Sequence, residues 1–170
     1  MATEPVSLRA LDLSALGREI EHSSDEGWTT ARHPVLRAEI ESLDAASRLT
    51  IEIEESPGFD ARWSVELRTP ELTARHGFWT GETPERLVEF FDDLARSWRG
   101  WVHDKVLSAM EHDFRLRATH DGTGHVTLWI GFGPDLTENE RYWHLVAPLE
   151  LEAGALDRLA AQMRAELTVP

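Results

Sequence analysis

The sequence predicts a two-layer α+β domain, in which two amphipathic helices cover one face of a mostly antiparallel sheet of about seven strands. Several short runs alternate apolar and polar residues, which is the period of a half-buried strand. Two longer runs repeat their apolar residues every three to four positions, as a helix packed on a core does. Short segments that contain strand-breaking residues such as Gly and Pro connect several of the alternating runs, and short connections of this kind favour hairpins.

The N-terminal part of the chain differs from the rest. The first 34 residues show little periodicity and contain the breakers Ser23–Gly27 and His33-Pro34. We expect residues 1–34 to form a loosely attached N-terminal arm and residues 35–170 to form a single α+β domain. No internal repeat, linker or low-complexity segment divides the chain of 170 residues, which is about one domain's length.

Four strands are predicted before the first helix. Strict alternation covers residues 36–41, 49–54 and 63–68. The breaker Ser56-Pro57-Gly58 separates the second run from the third and indicates a hairpin. Ile53 should face Trp63, because a slip by one residue would place Ile51 opposite a polar residue. The same register predicts the pairs Ile51–Val65, Leu49–Leu67 and Glu54–Arg62. A fourth strand follows Thr69-Pro70 and carries Leu72, Ala74, His76 and Phe78.

A helix over about residues 84–99 follows. Thr83 is a favoured N-cap residue and Pro84 suits the first helical position. The apolar stripe comprises Leu87, Val88, Phe91, Leu94, Ala95 and Trp98. Gly100 is the expected stop, since glycine adopts positive φ angles readily.

Three strands and a helix are predicted in the second half. Residues 102–112 are ambiguous, whereas residues 114–119 and 126–132 alternate clearly around a Gly-rich turn. A three-residue loop, Asp121–Thr123, predicts the pairs Phe114–Ile130, Leu116–Leu128 and Ala118–Val126. This register places Trp129 on the outer face opposite Arg115. A last strand lies within Tyr142–Leu151. The final helix, about residues 154–167, carries Leu156, Leu159, Ala160, Met163 and Leu167.

Three sequence pieces resemble an uncharacterised family of small actinobacterial proteins, a domain of unknown function. They are Phe90-Phe91…Leu94…Arg99-Gly100-Trp101, Gly124-His125-Val126 and Leu151-Glu152-Ala153-Gly154…Leu156…Ala160. The resemblance covers roughly residues 60–168. It implies the fold and the phylum, and it brings no activity with it.

The composition excludes several functional classes. Thirty-one acids against 17 bases give a formal net charge of −14, which disfavours binding to nucleic acid. The chain has no Cys, which removes disulfides and thiolate metal sites. No apolar run reaches membrane-span length and the N-terminus does not resemble a signal peptide, so we expect a cytoplasmic protein without membrane contact.

Candidate catalytic and metal-binding groups are few. Three His-Asp pairs occur at His103-Asp104, His112-Asp113 and His120-Asp121, and His125 lies near the last. Imidazole with carboxylate suits acid–base or metal chemistry, but these pairs fall in loops and at strand ends. Gly131-Phe132-Gly133 is a fragment of a dinucleotide motif that ends a strand instead of opening a helix. We therefore expect no catalytic residues, no metal site and no cofactor.

The remaining signals favour protein binding. Trp129 is predicted to point away from the core beside Arg115, and exposed Trp is typical of binding surfaces. Glu52, Glu54 and Glu66 are predicted on the solvent-exposed face of the sheet, where they would attract a basic partner protein. We therefore expect a non-catalytic interaction protein, immunity-like or antitoxin-like in one version, and a monomer or homodimer. The alternatives are a small-ligand-binding domain with a pocket between sheet and helices, or an enzyme of unrecognised type.

Overall fold

The computed structural model describes residues 35–55, 61–134 and 143–167, so the predicted arm and the breaker Ser56-Pro57-Gly58 lie outside the described residues. The elements are β1 (Val35–Glu41), β2 (Arg48–Glu55), β3 (Ala61–Arg68), β4 (Thr73–Thr80), α1 (Pro84–Arg96), β5 (Lys105–Ser108), β6 (Phe114–His120), β7 (His125–Phe132), β8 (Leu145–Glu152) and α2 (Leu156–Leu167). A short 3₁₀ turn, Ala153–Ala155, leads from β8 into α2. None of the described helices is long and apolar enough to cross a membrane.

The described strands form two antiparallel sheets of four strands each, not one sheet of about seven. Sheet A has the order β1-β2-β3-β4 and sheet B has the order β5-β6-β7-β8. The prediction missed β5, because its four residues, Lys105–Ser108, are too few to show a period. The α+β class is confirmed. α1 connects β4, the last strand of sheet A, to β5, the first strand of sheet B.

The predicted register of the first hairpin is confirmed. Ile53 pairs with Trp63, and the further pairs are Ile51–Val65, Leu49–Leu67 and Glu54–Arg62. In β2 and β3 the apolar residues of the alternating pattern are buried, while the polar residues between them point outward. Alternation excludes a slip by one residue here, because one face of the sheet covers the core.

The predicted register of β6 and β7 is wrong by two residues. Phe114 pairs with Phe132 instead of Ile130, and the pairs that follow are Leu116–Ile130, Arg117–Trp129, Ala118–Leu128 and His120–Val126. The carboxylate of Asp121 accepts the backbone N–H groups of Thr123 at 2.7 Å and His125 at 3.0 Å. The backbone N–H of Asp121 also donates to the His125 carbonyl at 3.1 Å, so the pairing continues past His120 and the three-residue loop is Gly122–Gly124 instead of Asp121–Thr123. A shift of two keeps every side chain on its predicted face.

Both helices lie close to their predicted bounds. α1 begins after Thr83 with Pro84 and ends at Arg96, three residues before the predicted end. Lys105 holds this end, since its ammonium donates to the Asp93 carbonyl at 3.3 Å and to Ser97 Oγ at 2.9 Å. Gly100 has the positive φ, +123°, that the sequence predicts. Lysine at a helix C-terminus also complements the helix dipole.

The two halves of the domain repeat one element order, a four-stranded meander followed by a helix, although the sequence shows no internal repeat. Side chains from both sheets and both helices form one hydrophobic core. The inner faces of the sheets meet where Phe114 lies 5.9 Å from Phe78 and 6.3 Å from Trp63, between ring centres. α2 lies beside β1, where Gln162 Nε2 donates to the Glu39 carbonyl at 3.1 Å.

Candidate binding surface

The outer face of sheet B carries a band of apolar and arginine side chains. Strand pairing aligns Val106, Arg117, Trp129 and Pro148 in one row across all four strands. The next row contains Ser108, Arg115, Gly131 and Val146. We call the outward side chains Val106, Arg115, Arg117, Trp129, Val146 and Pro148 the Trp129 face. Val106 is 53% exposed and Val146 is 58% exposed, so large apolar side chains face solvent here.

Trp129 lies in a fixed arrangement at the centre of this face. The guanidinium carbon of Arg117 lies 5.1 Å from the centre of its indole ring, within cation–π range. Arg117 also donates to the Asp104 carboxylate at 3.1 Å. Trp129 points away from the core as predicted, because its neighbours Leu128 and Ile130 are fully buried on the opposite face. The ring and the guanidinium are therefore held in place before any partner arrives.

Arg115 lies on the same face but not opposite Trp129, which is a consequence of the corrected register. Its cross-strand neighbours are Ser108 and Gly131. The side chain is exposed and makes no ion pair with the described part of the chain. The N–H donors of the Arg115 guanidinium are therefore not engaged in an ion pair with the described residues, and they can donate to a partner.

The outer face of sheet A carries Glu52, Glu54 and Glu66, together with Glu39 and Glu41. Five arginines occupy the same face: Arg37, Arg48, Arg62, Arg68 and Arg75. Glu52 pairs with Arg37 at 3.3 Å and with Arg75 at 3.2 Å, and Glu66 pairs with Arg68 at 2.6 Å. Three of these arginines, Arg37, Arg48 and Arg75, join the face through β1, the start of β2 and β4. This face is therefore balanced in charge.

The residues predicted to bind a partner lie on two sheets. Trp129 and Arg115 share the outer face of sheet B, whereas Glu52, Glu54 and Glu66 share that of sheet A. The fold does not bring these two groups into one patch.

The His-Asp pairs occupy turns. His103 and His112 both adopt left-handed φ angles, 70° and 61°, in the turns before and after β5. Turn residues of this kind commonly include His, Asn and Asp. Asp104 binds Arg117, which leaves its carboxylate engaged in an ion pair.

The third pair stabilises the β6–β7 loop. His120 Nδ1 accepts the N–H of Gly122 at 2.8 Å, and its Nε2 donates to the Trp98 carbonyl at 3.1 Å. Hydrogen bonds from Thr123 and from the backbone of His125 hold the pKa of Asp121 well below its ordinary value. Both ring nitrogens of His120 are thus used within the fold. Within the described ranges, no three His, Asp or Glu side chains are grouped as a metal site.

His76 on β4 was not singled out from the sequence. Its ring stacks on Phe78 with centres 5.8 Å apart and meets Trp143 edge-on at 5.5 Å. Its Nε2 is buried, has no hydrogen-bond partner among the residues that the structure describes, and lies 3.9 Å from the Asp113 carboxylate. Burial lowers the pKa of His76, and the carboxylate opposes this shift. The alternation in β4 places His76 on the same face as Phe78, and this pattern could have indicated from the sequence that His76 points towards the core.

A groove of about 460 Å³ lies between β1 and α2, and a ligand pocket between sheet and helices was one of the alternatives considered from the sequence. Its walls are Glu39, Ile40, Glu41, Leu151, Ala155, Arg158, Leu159 and Gln162. Small-molecule sites are usually apolar with few polar groups, whereas this groove carries three charged side chains and an amide.

Comparison with known proteins identifies one family. A family model described as "Family of unknown function (DUF6228)" matches residues 40–170, which spans the described elements from the end of β1 to α2. No curated protein matches the chain. No solved structure matches it either.

Proposed function

Because the chain belongs to the DUF6228 family, whose function is unknown, we propose its function from its own surface: a non-catalytic domain that binds a partner protein through the Trp129 face. The observation that carries this proposal is the fixed stack of Arg117 on Trp129 between exposed apolar side chains. Trp and Arg are the residues most enriched where interfaces gain their binding energy.

The position of this stack also supports a protein partner. Trp129 and Arg117 lie on β7 and β6, the two central strands of sheet B, so strand pairing on both sides holds their backbones. A partner would cover Trp129, Val106 and Val146 with little loss of side-chain freedom, because the ring and the guanidinium are already ordered. Arg115 would donate to a carbonyl or carboxylate of the partner at the edge of the contact.

The partner that we propose is a basic protein, since the chain carries a net charge of −14. In its most specific form, the proposal is that the chain inhibits such a protein in the cytoplasm of an actinobacterium, as an immunity protein or an antitoxin does. The contribution that the sequence assigned to Glu52, Glu54 and Glu66 has to be smaller, because arginines on the same face offset their charge.

A capture experiment tests the proposal. The wild-type chain, Trp129→Ala and Arg115→Ala are immobilised separately and exposed to lysate of the source organism, with Glu52→Gln/Glu54→Gln as the matched control on sheet A. We expect the wild type and the control to retain a stoichiometric partner. Trp129→Ala should lower the affinity for this partner at least roughly tenfold, which is equivalent to about 1.4 kcal/mol. Equal retention by wild type, Trp129→Ala and Arg115→Ala would show that the Trp129 face is not the binding surface.

A further inference from the structure

A second concave feature adjoins the Trp129 face. It is a groove of about 320 Å³ between the β1–β2 turn and β8. We call it the turn groove, and its walls are Ser42, Leu43, Asp44, Ser47, Pro148, Leu149 and Glu150. We propose that the turn groove binds an extended segment of the partner protein in which a basic residue lies beside an aliphatic one. This inference rests on the proposed function, because it names the chemistry of the same partner.

The turn groove is built by hydrogen bonds, so its shape does not depend on a ligand. The N–H of Leu43 donates to the carbonyl of Glu150 at 2.8 Å, which attaches the β1–β2 turn to β8. Within the turn, Ala46 N donates to the Asp44 carboxylate at 3.0 Å, and Ser47 N donates to Ser42 Oγ at 3.0 Å. A partner would therefore meet a rigid wall on either side, which lowers the entropic cost of binding.

The turn groove offers an exposed apolar contact that continues onto the Trp129 face. Leu43 is 51% exposed, a large fraction for a leucine that lines a groove. Pro148 forms the opposite wall and is also the cross-strand neighbour of Trp129. A segment that covers Trp129 can thus pass over Pro148 and place an aliphatic side chain against Leu43.

The charge of the turn groove selects a basic segment. Asp44 accepts hydrogen bonds from Ser42 and Ala46, and Glu150 accepts from Thr127 at 3.0 Å; all three donors are neutral. Neither carboxylate forms an ion pair within the ranges that the structure describes. This contrasts with sheet A, where arginines pair with most of the outward glutamates. A lysine or arginine of the partner would supply the missing positive charge.

Two synthetic probes test this assignment. They are acetyl-Leu-Lys-Leu-Lys-Leu-Lys-amide and the peptide with Glu in place of each Lys, titrated into the isotope-labelled full chain and followed by amide chemical shifts. We expect the lysine peptide to shift Leu43, Asp44 and Glu150 and their neighbours in a saturable way that weakens with added salt. We expect no comparable shifts with the glutamate peptide.

Variants separate the turn groove from general attraction to an acidic chain. Asp44→Asn with Glu150→Gln keeps one acceptor oxygen on each side chain and removes both charges, so the hydrogen bonds of the turn to Asp44 Oδ1 can still form. We expect this variant to weaken the lysine peptide at least roughly tenfold, equivalent to about 1.4 kcal/mol. Leu43→Ser should weaken it too, by removing the apolar contact. The control Glu52→Gln/Glu54→Gln removes the same charge from sheet A and should bind as the wild type does.

Equal binding of the lysine peptide by Asp44→Asn/Glu150→Gln, or equal weakening by the sheet A control, would overturn the inference. The capture experiment distinguishes this failure from failure of the proposed function. If Trp129→Ala abolishes retention of the partner and the turn-groove variants do not, the Trp129 face binds the partner without the groove. If the turn-groove variants reduce retention of the partner and Trp129→Ala does not, the proposal for the Trp129 face fails.

Discussion

Arg117 and Trp129 lie directly opposite each other on neighbouring strands, with the guanidinium carbon 5.1 Å from the centre of the indole ring. The pair sits on a solvent-facing sheet surface, where Asp104 holds the guanidinium from the other side. An arginine held in this way covers part of the ring and leaves the rest available for contact. The surface that we propose for a partner therefore has Arg117 in contact with both Trp129 and Asp104 in the free protein.

The first prediction compares two adjacent residues of β7. Leu128 is fully buried, so Leu128→Ala should lower the free energy of unfolding by about 2–4 kcal/mol. Trp129→Ala should cost less than about 1 kcal/mol, because Trp129 lies outside the core. Urea denaturation of both variants measures this difference. A larger loss for Trp129→Ala in the monomer would mean that the indole stabilises the fold itself.

The second prediction concerns Gly133, over which the chain passes closely. A Cβ at this position would lie 2.6 Å from the carbonyl oxygen of Trp143 and 2.9 Å from the Cα of His144. Both neighbours are backbone atoms, so Gly133→Ala should lower the free energy of unfolding by about 1–3 kcal/mol. Gly81→Ala is the control, because nothing lies within 4 Å of its Cβ. Similar melting temperatures for the two variants would contradict the close approach.

The third prediction is a pH dependence from His76. Burial lowers its pKa in the folded chain below the ordinary value of 6.5, so the unfolded chain binds the proton more readily. The neutral ring therefore contributes stability that is fully present above about pH 6.5 and is lost as the pH falls below it. His76→Phe should remove this component while keeping an aromatic ring between Phe78 and Trp143.

Stability curves of the wild type and His76→Phe between pH 5 and pH 8 check this sign. Asp113→Asn is the companion variant. Its carboxylate raises the pKa of His76, so its removal should make the loss of stability at low pH larger. Parallel curves for the wild type and His76→Phe would show that His76 does not cause the dependence.

The fourth prediction concerns zinc and the β6–β7 loop. Added Zn²⁺ or EDTA should leave the melting temperature unchanged, because both nitrogens of His120 are hydrogen-bonded within the fold. His120→Ala should cost about 1 kcal/mol by freeing the Trp98 carbonyl and the Gly122 N–H. A zinc-induced rise in melting temperature that disappears in His120→Ala/His125→Ala would contradict this account.

The fifth prediction concerns the outer face of sheet A. Glu52→Gln with Glu54→Gln should change the free energy of unfolding by no more than about 0.5 kcal/mol, since exposed ion pairs contribute little. Because five arginines offset the glutamates of this face, the variant should capture a basic partner at nearly the wild-type rate. Stopped-flow association at low ionic strength measures the rate. A clearly slower association of the variant would show that the glutamates of this face accelerate capture of the partner electrostatically.

Apart from β5, the sequence by itself determined the local elements and the alternation of buried and exposed residues within its predicted strands. In the β2–β3 hairpin it also excluded a slip by one residue, because such a slip would place Ile51 opposite a polar residue, and the predicted pairing of Ile51 with Val65 is confirmed. The direction of Trp129 followed in the same way from Leu128 and Ile130. These results depend on periods of two and 3.6 residues, which are properties of the backbone and can be read from any run that is long enough.

Only the tertiary structure decided how the elements combine. Asp121 pairs with His125 and moves the β6–β7 loop one residue along the chain, so Trp129 meets Arg117 and not Arg115. The charge of sheet A became visible only when β1 and β4 joined its face, and the turn groove exists only because Leu43 is bonded to Glu150 more than a hundred residues away. Alternation says which way a side chain points, but its neighbour on another strand depends on loop geometry and on packing between distant segments, which no local period encodes.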